Sequence, residues 1–204
     1  CRICVVEVKG ARSLVTACVY PVNEGMEIVT NSEKVQASRK TNLELLLSTH
    51  DQNCLSCVRS TDCELQKLSH DLNIHYQPYQ VQPERSREDL DVPVVRAASK
   101  CIKCMRCVQI CDKVQGMHVW DLMGTGSHTT IGVGKYRTLG ESDCTFCGQC
   151  VTHCPTGALT ARDDTNAVFR ALEDPNITTV IQVAPAVRVA WAESFGLDPT
   201  FATT

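Results

Sequence analysis

Apolar and polar residues are patterned differently in four successive parts of the 204-residue chain. Residues 1–32 hold short β-branched runs set between turn signals. Ile3-Cys4-Val5-Val6-Glu7-Val8 ends at Lys9-Gly10, Leu14 to Cys18 is a second run, and Met26 to Thr30 is a third, reached through Asn23-Glu24-Gly25. Runs of this kind predict short strands. Thr30-x-x-Glu33 has the form of a capping box and predicts a helix to about Ser48, with Val35, Leu43, Leu46 and Leu47 loosely on one face. A further helix is expected from Glu64 to His70. Residues 78–94, with Pro78, Pro83 and mixed charges from Glu84 to Asp91, predict an extended linker. In the third part, 95–162, the stretch Thr129 to Val133 is strand-like. In the fourth, Asp163 or Asp164 predicts the cap of a helix running to about Leu172 and stopped by Pro175. Thr178 to Ala184 predicts a continuous apolar strand, and the residues after Pro185 a helix to Phe195, ended by Gly196. One strand and one helix cannot bury their own apolar faces. Val187, Val189, Trp191 and Phe195 would then stand exposed, so the chain is expected to continue past Thr204.

Composition adds one strong feature, 14 cysteines. Such a count points to a disulfide scaffold or to metal ligation. Cys1 to Val8 lacks the basic start and small-residue cleavage site of a signal peptide. The cysteines also lie in tight groups two or three residues apart, a spacing suited to chelation rather than to cross-linking distant segments. The net charge of −3 argues against nucleic acid as a partner. No apolar run reaches the roughly 18 residues of a membrane span, since the longest, Val180 to Ala192, is broken by Gln182, Pro185 and Arg188. The expectation is a soluble, cytoplasmic protein with no direct membrane insertion.

The most specific motif is doubled. Cys101-x2-Cys104-x2-Cys107-x3-Cys111 is followed by Cys144-x2-Cys147-x2-Cys150-x3-Cys154-Pro155. This is the bacterial ferredoxin spacing for two [4Fe–4S] clusters. Three cysteines on a tight loop reach three corners of a cubane, and the fourth corner needs a distant ligand. In such modules the fourth cysteine of each run serves the other cluster. One cluster is therefore expected on Cys101, Cys104, Cys107 and Cys154, the other on Cys144, Cys147, Cys150 and Cys111. Small residues such as Gly148 would let backbone N–H groups approach the sulfurs. Asp112 instead of proline after the first run, and the long stretch from Asp112 to Asp143, suggest an embedded module rather than a free ferredoxin.

His50-x3-Cys54-x2-Cys57-x5-Cys63 forms a separate ligand set. On bare chemistry it suits a [4Fe–4S] cluster or a Cys₃His zinc site. If the group is a cluster, neutral imidazole in place of a thiolate makes it easier to reduce. His70, His75, His118 and His128 have no ligand partners at useful spacing, and His153 is a candidate for tuning through its neighbour Cys154. Cys1-x2-Cys4-x13-Cys18 supplies three thiolates. These could serve a plant-type [2Fe–2S] cluster whose remaining ligand lies upstream, a zinc site, or no metal at all.

The three sets in this order resemble the accessory-cluster region of multi-cluster [FeFe]-hydrogenases, particularly the catalytic subunit of NAD(P)-linked, electron-bifurcating ones. The resemblance is carried by Cys1-Arg2-Ile3-Cys4-Val5-Val6-Glu7-Val8, Leu45 to His50, Cys63-Glu64-Leu65-Gln66, the two cysteine runs and Gln182-Val183-Ala184-Pro185-Ala186-Val187-Arg188. It implies an α+β chain with a partial β-grasp [2Fe–2S] domain at 1–32, a small His-Cys₃ [4Fe–4S] domain at 33–77 and a linker at 78–94. A ferredoxin-like domain with two [4Fe–4S] clusters follows at 95–162, and 163–204 begins an α/β domain of the H-cluster type. The implied cofactors are three [4Fe–4S] clusters and one [2Fe–2S] cluster, with the H-cluster only in the full-length protein. No catalytic residue is assigned, because the H-cluster ligands would lie beyond residue 204. The implied function is electron relay in an oxidoreductase, between an H-cluster and flavin- or NAD(P)-binding and [2Fe–2S] partner subunits, or ferredoxin. Residues 1–77 resemble NADH–quinone oxidoreductase large subunits and NAD-linked formate dehydrogenases almost equally, and a non-catalytic electron-transfer subunit is a third reading. The Val183 to Arg188 stretch favours the hydrogenase.

Overall fold

The β-branched runs at the start of the chain pair into a three-stranded antiparallel sheet, with the first run in the centre and the second and third on either side. The structure, a computed structural model, describes residues 1–79, 81 and 91–198. The central strand β1 (Val5–Val8) sets Val5 opposite Thr16 of β2 (Val15–Thr16) and Glu7 opposite Val29 of β3 (Ile28–Val29). Its Val5 and Val6 are buried. The outer strands are shorter than the apolar runs because turns claim their backbone. Past β2 the Val19 and Tyr20 N–H groups donate back to the Thr16 carbonyl, and before β3 the Met26 N–H donates to that of Asn23.

Helix α1 (Glu33–Ser48) is capped by Ser32, not by Thr30. The Ser32 hydroxyl oxygen accepts from the Val35 N–H at 3.3 Å, and the same hydroxyl bonds the Glu7 carboxylate, which joins the helix start to β1. A serine adjacent to the first helical residue outcompetes a threonine two residues earlier for the orphan N–H groups. Val35 and Leu43 are fully buried on one face. On the same face, Arg39 donates to the Val5 carbonyl at 3.0 Å and Asn42 to that of Arg2 at 3.2 Å. Helix α2 (Glu64–Asp71) follows and buries Leu65.

Most of the expected linker, residue 80 and residues 82–90, lies outside the described residues. Val92 and Val94, at its far end, are buried. Strand β4 (Val94–Arg96) pairs antiparallel with β7 (Leu159–Ala161), setting Val95 opposite Thr160. Between them lie two short helices, α3 (Arg106–Gln109), continued by the wider turn Ile110–Val114, and α4 (Gln149–Thr152). The stretch between the cysteine runs folds into a hairpin, β5 (Trp120–Met123) against β6 (Thr130–Val133). Its Trp120, Ile131 and Val133 fill the core around Cys111, Cys150 and Cys154. Gly124 opens the turn at φ +71°, where an added Cβ would lie 2.4 Å from the His128 carbonyl oxygen. The mixture of helices with short antiparallel strands is α+β.

Residues Asp163–Thr204 form a unit of their own. Helix α5 (Thr165–Glu173) follows Asp164, but the capping bond comes from Asp163, whose carboxylate accepts from the Thr165 N–H at 3.0 Å. Helix α6 (Pro185–Ser194) starts at Pro185 and closes before Gly196 at φ +65°. The Trp191 and Phe195 rings meet edge to face with centroids 6.1 Å apart. The strand expected over Thr178 to Ala184 does not form. A strand needs a neighbour for its backbone groups, and among the described residues of this unit none is present. Val180 and Ile181 accordingly stand exposed.

Leu43→Ala is expected to cost about 2–5 kcal/mol, read as a lower urea midpoint of the reconstituted protein. Leu45→Ala, at an exposed position of the same helix, should stay within about 0.5 kcal/mol. Equal midpoints for the two variants would contradict the buried face assigned to α1.

Candidate metal centres

The two cysteine runs fold as a backbone repeat. Lys103 and Phe146, each two residues after the first cysteine of its run, adopt φ of 55° and 52°. Met105 and Gly148, each directly after the second cysteine, adopt 67° and 75°. This left-handed geometry costs a non-glycine residue roughly 1–2 kcal/mol. It turns backbone N–H groups toward sulfur: Lys103 donates to Cys101 Sγ and Phe146 to Cys144 Sγ, both at 3.4 Å. Each run then enters a short helix, with Cys107 and Cys150 at the second position of α3 and α4. Val119 supplies a third such contact, its N–H donating to Cys111 Sγ at 3.4 Å.

Around these turns the thiols line two tight, largely apolar cavities. One is walled by Cys101, Cys104, Cys107 and Cys154, with Arg96 and Trp120 beside them. The other is walled by Cys144, Cys147, Cys150 and Cys111, again with Trp120. Each cavity thus gathers three cysteines of one run and the last cysteine of the other. Burial pushes the Cys107 thiol up to about 12, and the charges of Cys101, Cys104 and Cys154 add to it. Burial also raises Cys101, while the Lys103 N–H and the Arg96 charge oppose the rise. Cys144 and Cys150 rise for the same first reason, with Cys111 among the charges acting on both. Trp120 counters the rise at Cys150 through a side-chain hydrogen bond.

Thiolate is the form that binds metal. Four of them in so apolar a space need a cationic core to offset their mutual repulsion. The donor sets and the N–H groups aimed at sulfur therefore fit an iron–sulfur cluster in each cavity. Among the described residues, no three His, Cys, Asp or Glu side chains close round a single-ion position.

A third cavity, of about 330 Å³, is lined by His50, Cys54, Cys57 and Cys63. His50 follows the end of α1 and is buried. Burial lowers its pKa first and the Lys100 charge next, against Asp51 and a hydrogen bond with the Lys100 backbone, so the ring is held neutral. Its Nδ1 is buried without a hydrogen-bond partner. A neutral ring with an orphaned nitrogen beside three thiols fits a His-Cys₃ ligand set.

This cavity is built against the residues just before the first cysteine run and the end of the second. Arg59 Nη2 donates to the Cys154 carbonyl at 2.8 Å, and the Asp51 N–H to that of Ser99 at 2.8 Å. Thr156 lines both the His50 cavity and the Cys101 cavity, and its buried hydroxyl donates to the Lys100 carbonyl at 2.7 Å. Gly157 takes the left-handed φ of +66° beside this loop, and an added Cβ would lie 3.3 Å from Arg59 Cγ.

In the amino-terminal set, Cys4 Sγ and Cys18 Sγ are 3.4 Å apart and Cys1 is exposed. The His153 ring meets its own helix, at the Gln149 carbonyl and the Thr152 hydroxyl. Arg59, Arg96, Trp120 and Thr156 escaped the reading of cysteine spacing. Only Trp120, the one tryptophan in the stretch between the runs, carried a signal in the sequence.

Three family models match successive parts of the chain. Residues 1–33 match the 2Fe-2S iron-sulfur cluster binding domain. Residues 39–78 match the NADH-ubiquinone oxidoreductase-G iron-sulfur binding region, and residues 100–158 the 4Fe-4S dicluster domain. The chain is an iron–sulfur electron-transfer region. It is of the type found in hydrogenase and NADH-oxidoreductase subunits. It is 40% identical over its whole length to the NADP-reducing hydrogenase subunit HndD of Solidesulfovibrio fructosivorans, of which it spans 35%. Over 79% of its length it is 33% identical to the NADPH-Fe(3+) oxidoreductase subunit alpha of Geobacter sulfurreducens, of which it spans 19%. Over 78% it is 32% identical to an NADH-quinone oxidoreductase subunit of Rhizobium meliloti, again spanning 19%. Among solved structures, an NAD+-reducing [NiFe]-hydrogenase in the H2-reduced state superposes with a TM-score of 0.70 at 26% identity, covering 79% of this chain and 69% of that one. No helix among the described residues of this iron–sulfur region is long and apolar enough to cross a membrane.

Thr156→Val should cost about 1–3 kcal/mol by leaving the Lys100 carbonyl without its hydroxyl donor, seen as a lower denaturation midpoint. Thr156→Ser should recover most of that loss. A serine variant as unstable as the valine variant would show that packing, and not the hydrogen bond, holds this wall.

Proposed function

We propose that this chain is the electron-relay region of an [FeFe]-hydrogenase subunit, passing electrons between partner subunits and an H-cluster held outside these residues. The observation that carries the reading is the extent of similarity. The hydrogenase relative matches the whole chain, Gln182 to Arg188 included, whereas the two other oxidoreductase relatives match under four-fifths of it. In this reading the whole protein is an oxidoreductase of the NAD(P)-linked or electron-bifurcating type. Its partners are flavin- or NAD(P)-binding and [2Fe–2S] subunits of a cytoplasmic hetero-oligomer, with ferredoxin as a soluble electron carrier.

In this reading Cys101, Cys104, Cys107 and Cys154 hold one [4Fe–4S] cluster, and Cys144, Cys147, Cys150 and Cys111 hold a second. His50, Cys54, Cys57 and Cys63 hold a third. Cys1, Cys4 and Cys18 give three ligands to a [2Fe–2S] cluster whose fourth ligand comes from elsewhere. The domains follow the ligands: 1–32, 33–77, a linker at 78–94, 95–162, and 163–204 as the start of the catalytic domain. Bound in these sites, the clusters supply one-electron carriers. The chain does the rest. Cys111 and Cys154 exchange cavities and tie the halves of the ferredoxin-like domain together. Lys103, Phe146 and Val119 point N–H groups at sulfur, and Trp120 adds a donor at Cys150. Such donors favour the more negative, reduced state. Neutral His50 in place of a thiolate works in the same direction.

Reconstituted protein of this length should take up about twelve irons in three cubanes, show their low-temperature EPR signals when reduced, and evolve no H2. Zinc, or about half that iron, would sink the ligand assignments. His50→Ala should alter one cluster spectrum and leave the ferredoxin-like pair alone. Cys154→Ser should alter the Cys101 site, and a change at the Cys144 site in its place would disprove the exchange of ligands. The full-length protein, matured with its H-cluster, should evolve H2 from a reduced dye. Quinone reduction without H2 would favour the NADH–quinone oxidoreductase alternative.

A further inference from the structure

Arg59 belongs to the loop between Cys57 and Cys63, yet its side chain leaves that loop. Its stem passes Gly157 so closely that a Cβ there would lie 3.3 Å from Arg59 Cγ. One arm of its guanidinium donates to the Cys154 carbonyl at 2.8 Å, and the other to the Asp62 carboxylate at 3.3 Å. The same residue lines the cavity of His50, Cys54, Cys57 and Cys63. It thus touches the main chain of a thiol from one cavity while forming the wall of another. Its side chain is 29% exposed, whereas that of Asp62 is 92% exposed. Water and salt screen the carboxylate far more than the partly enclosed cation, so the pair leaves a net positive field on the inner side. The nearby Arg106–Glu64 pair is open to solvent on both sides. The guanidinium stays charged at every working pH.

We propose that Arg59 is a positioning residue shared by two centres, holding the Cys57–Cys63 loop on Cys154 and raising the reduction potential of both the His50 site and the Cys154 site. The proposal rests on the reading of both sites as iron–sulfur centres. One-electron reduction adds a negative charge to a centre, and a fixed cation beside it stabilises the reduced form. Arg59 reaches the Cys101 site through the carbonyl of its fourth cysteine, Cys154, and its bonds to Cys154 and Asp62 touch no lining residue of the Cys144 cavity, so the potential of that site should not follow this side chain.

The test is an EPR-monitored redox titration of the full-length holoprotein. Arg59→Gln should move the midpoints of the His50 and Cys154 sites to more negative values. The expected change is about tenfold in the ratio of reduced to oxidised centre at fixed potential, which is about 59 mV for one electron, with the Cys144 site unmoved. Arg59→Lys keeps the charge and should recover most of the shift. Asp62→Asn, at an exposed position, removes the opposing charge and should move the same two midpoints slightly the other way. Unmoved midpoints in the glutamine variant, an equal shift at all three sites, or a lysine variant no better than glutamine would overturn the proposal. So would a negative shift in Asp62→Asn. Wild-type protein without the two cubane signals would overturn the cluster reading and this proposal together, whereas intact wild-type signals with an unmoved glutamine variant would overturn this proposal alone.

Discussion

Cys111 and Cys154 each cross from the end of their own run into the cavity built by the other. The rest of the domain is arranged around that crossing. Neither cysteine could reach its place unless α3 and α4 packed against each other and the β4–β7 pair closed the two ends of the segment. Burying four thiols together is unfavourable, as the rise of Cys107 to about 12 expresses. The fold offsets part of this with backbone dipoles at three sulfurs and with Arg96 near Cys101. It also accepts left-handed backbone at Lys103, Met105 and Phe146 to aim those dipoles. The geometry is costly without a cationic core and reasonable with one.

The β5–β6 hairpin has a structural part in the same arrangement. Trp120 lies in the walls of both cavities, and with Ile131 and Val133 it supplies much of the apolar filling that the cysteines cannot. A domain with so many ligating residues has few positions left for core side chains, and the inserted hairpin adds them.

Cysteine spacing was the most legible part of the sequence because chelation is local: two residues between donors fix a turn wherever it occurs. The structure gathers the same four thiols into each cavity that this spacing groups. Helix α1 was legible in extent but not in its cap, because only Thr30 has a glutamate three residues on, whereas Ser32, which lacks one, sits directly before the first helical residue and takes the Val35 N–H. The outer strands of the first sheet came out short because turns took their backbone groups, a competition that composition does not reveal. Thr178 to Ala184 has the composition of a strand and lacks a partner among the described residues of its unit. Arg59 and Thr156 were not legible at all. Their importance lies in what they touch, Cys154 and Lys100, far away in the chain.

The repeat that makes the two halves look alike is not electrically symmetric. Arg96 stands in the wall of the Cys101 cavity, and Arg59 bonds the carbonyl of its fourth cysteine. Lys100, whose carbonyl holds Thr156, bears its charge near His50 and reaches the Asp51 carboxylate at 3.9 Å. The Cys144 cavity has no cationic side chain among its described lining residues and relies on neutral donors from Phe146, Val119 and Trp120. Dipoles act over shorter range than charges, and a charge in a partly enclosed site is weakly screened. Two cavities with the same donors, built by the same turn, are therefore held in different fields. The difference arises from residues outside the cysteine motif, so cysteine spacing by itself specifies where electrons can rest but not which of the two resting places they prefer.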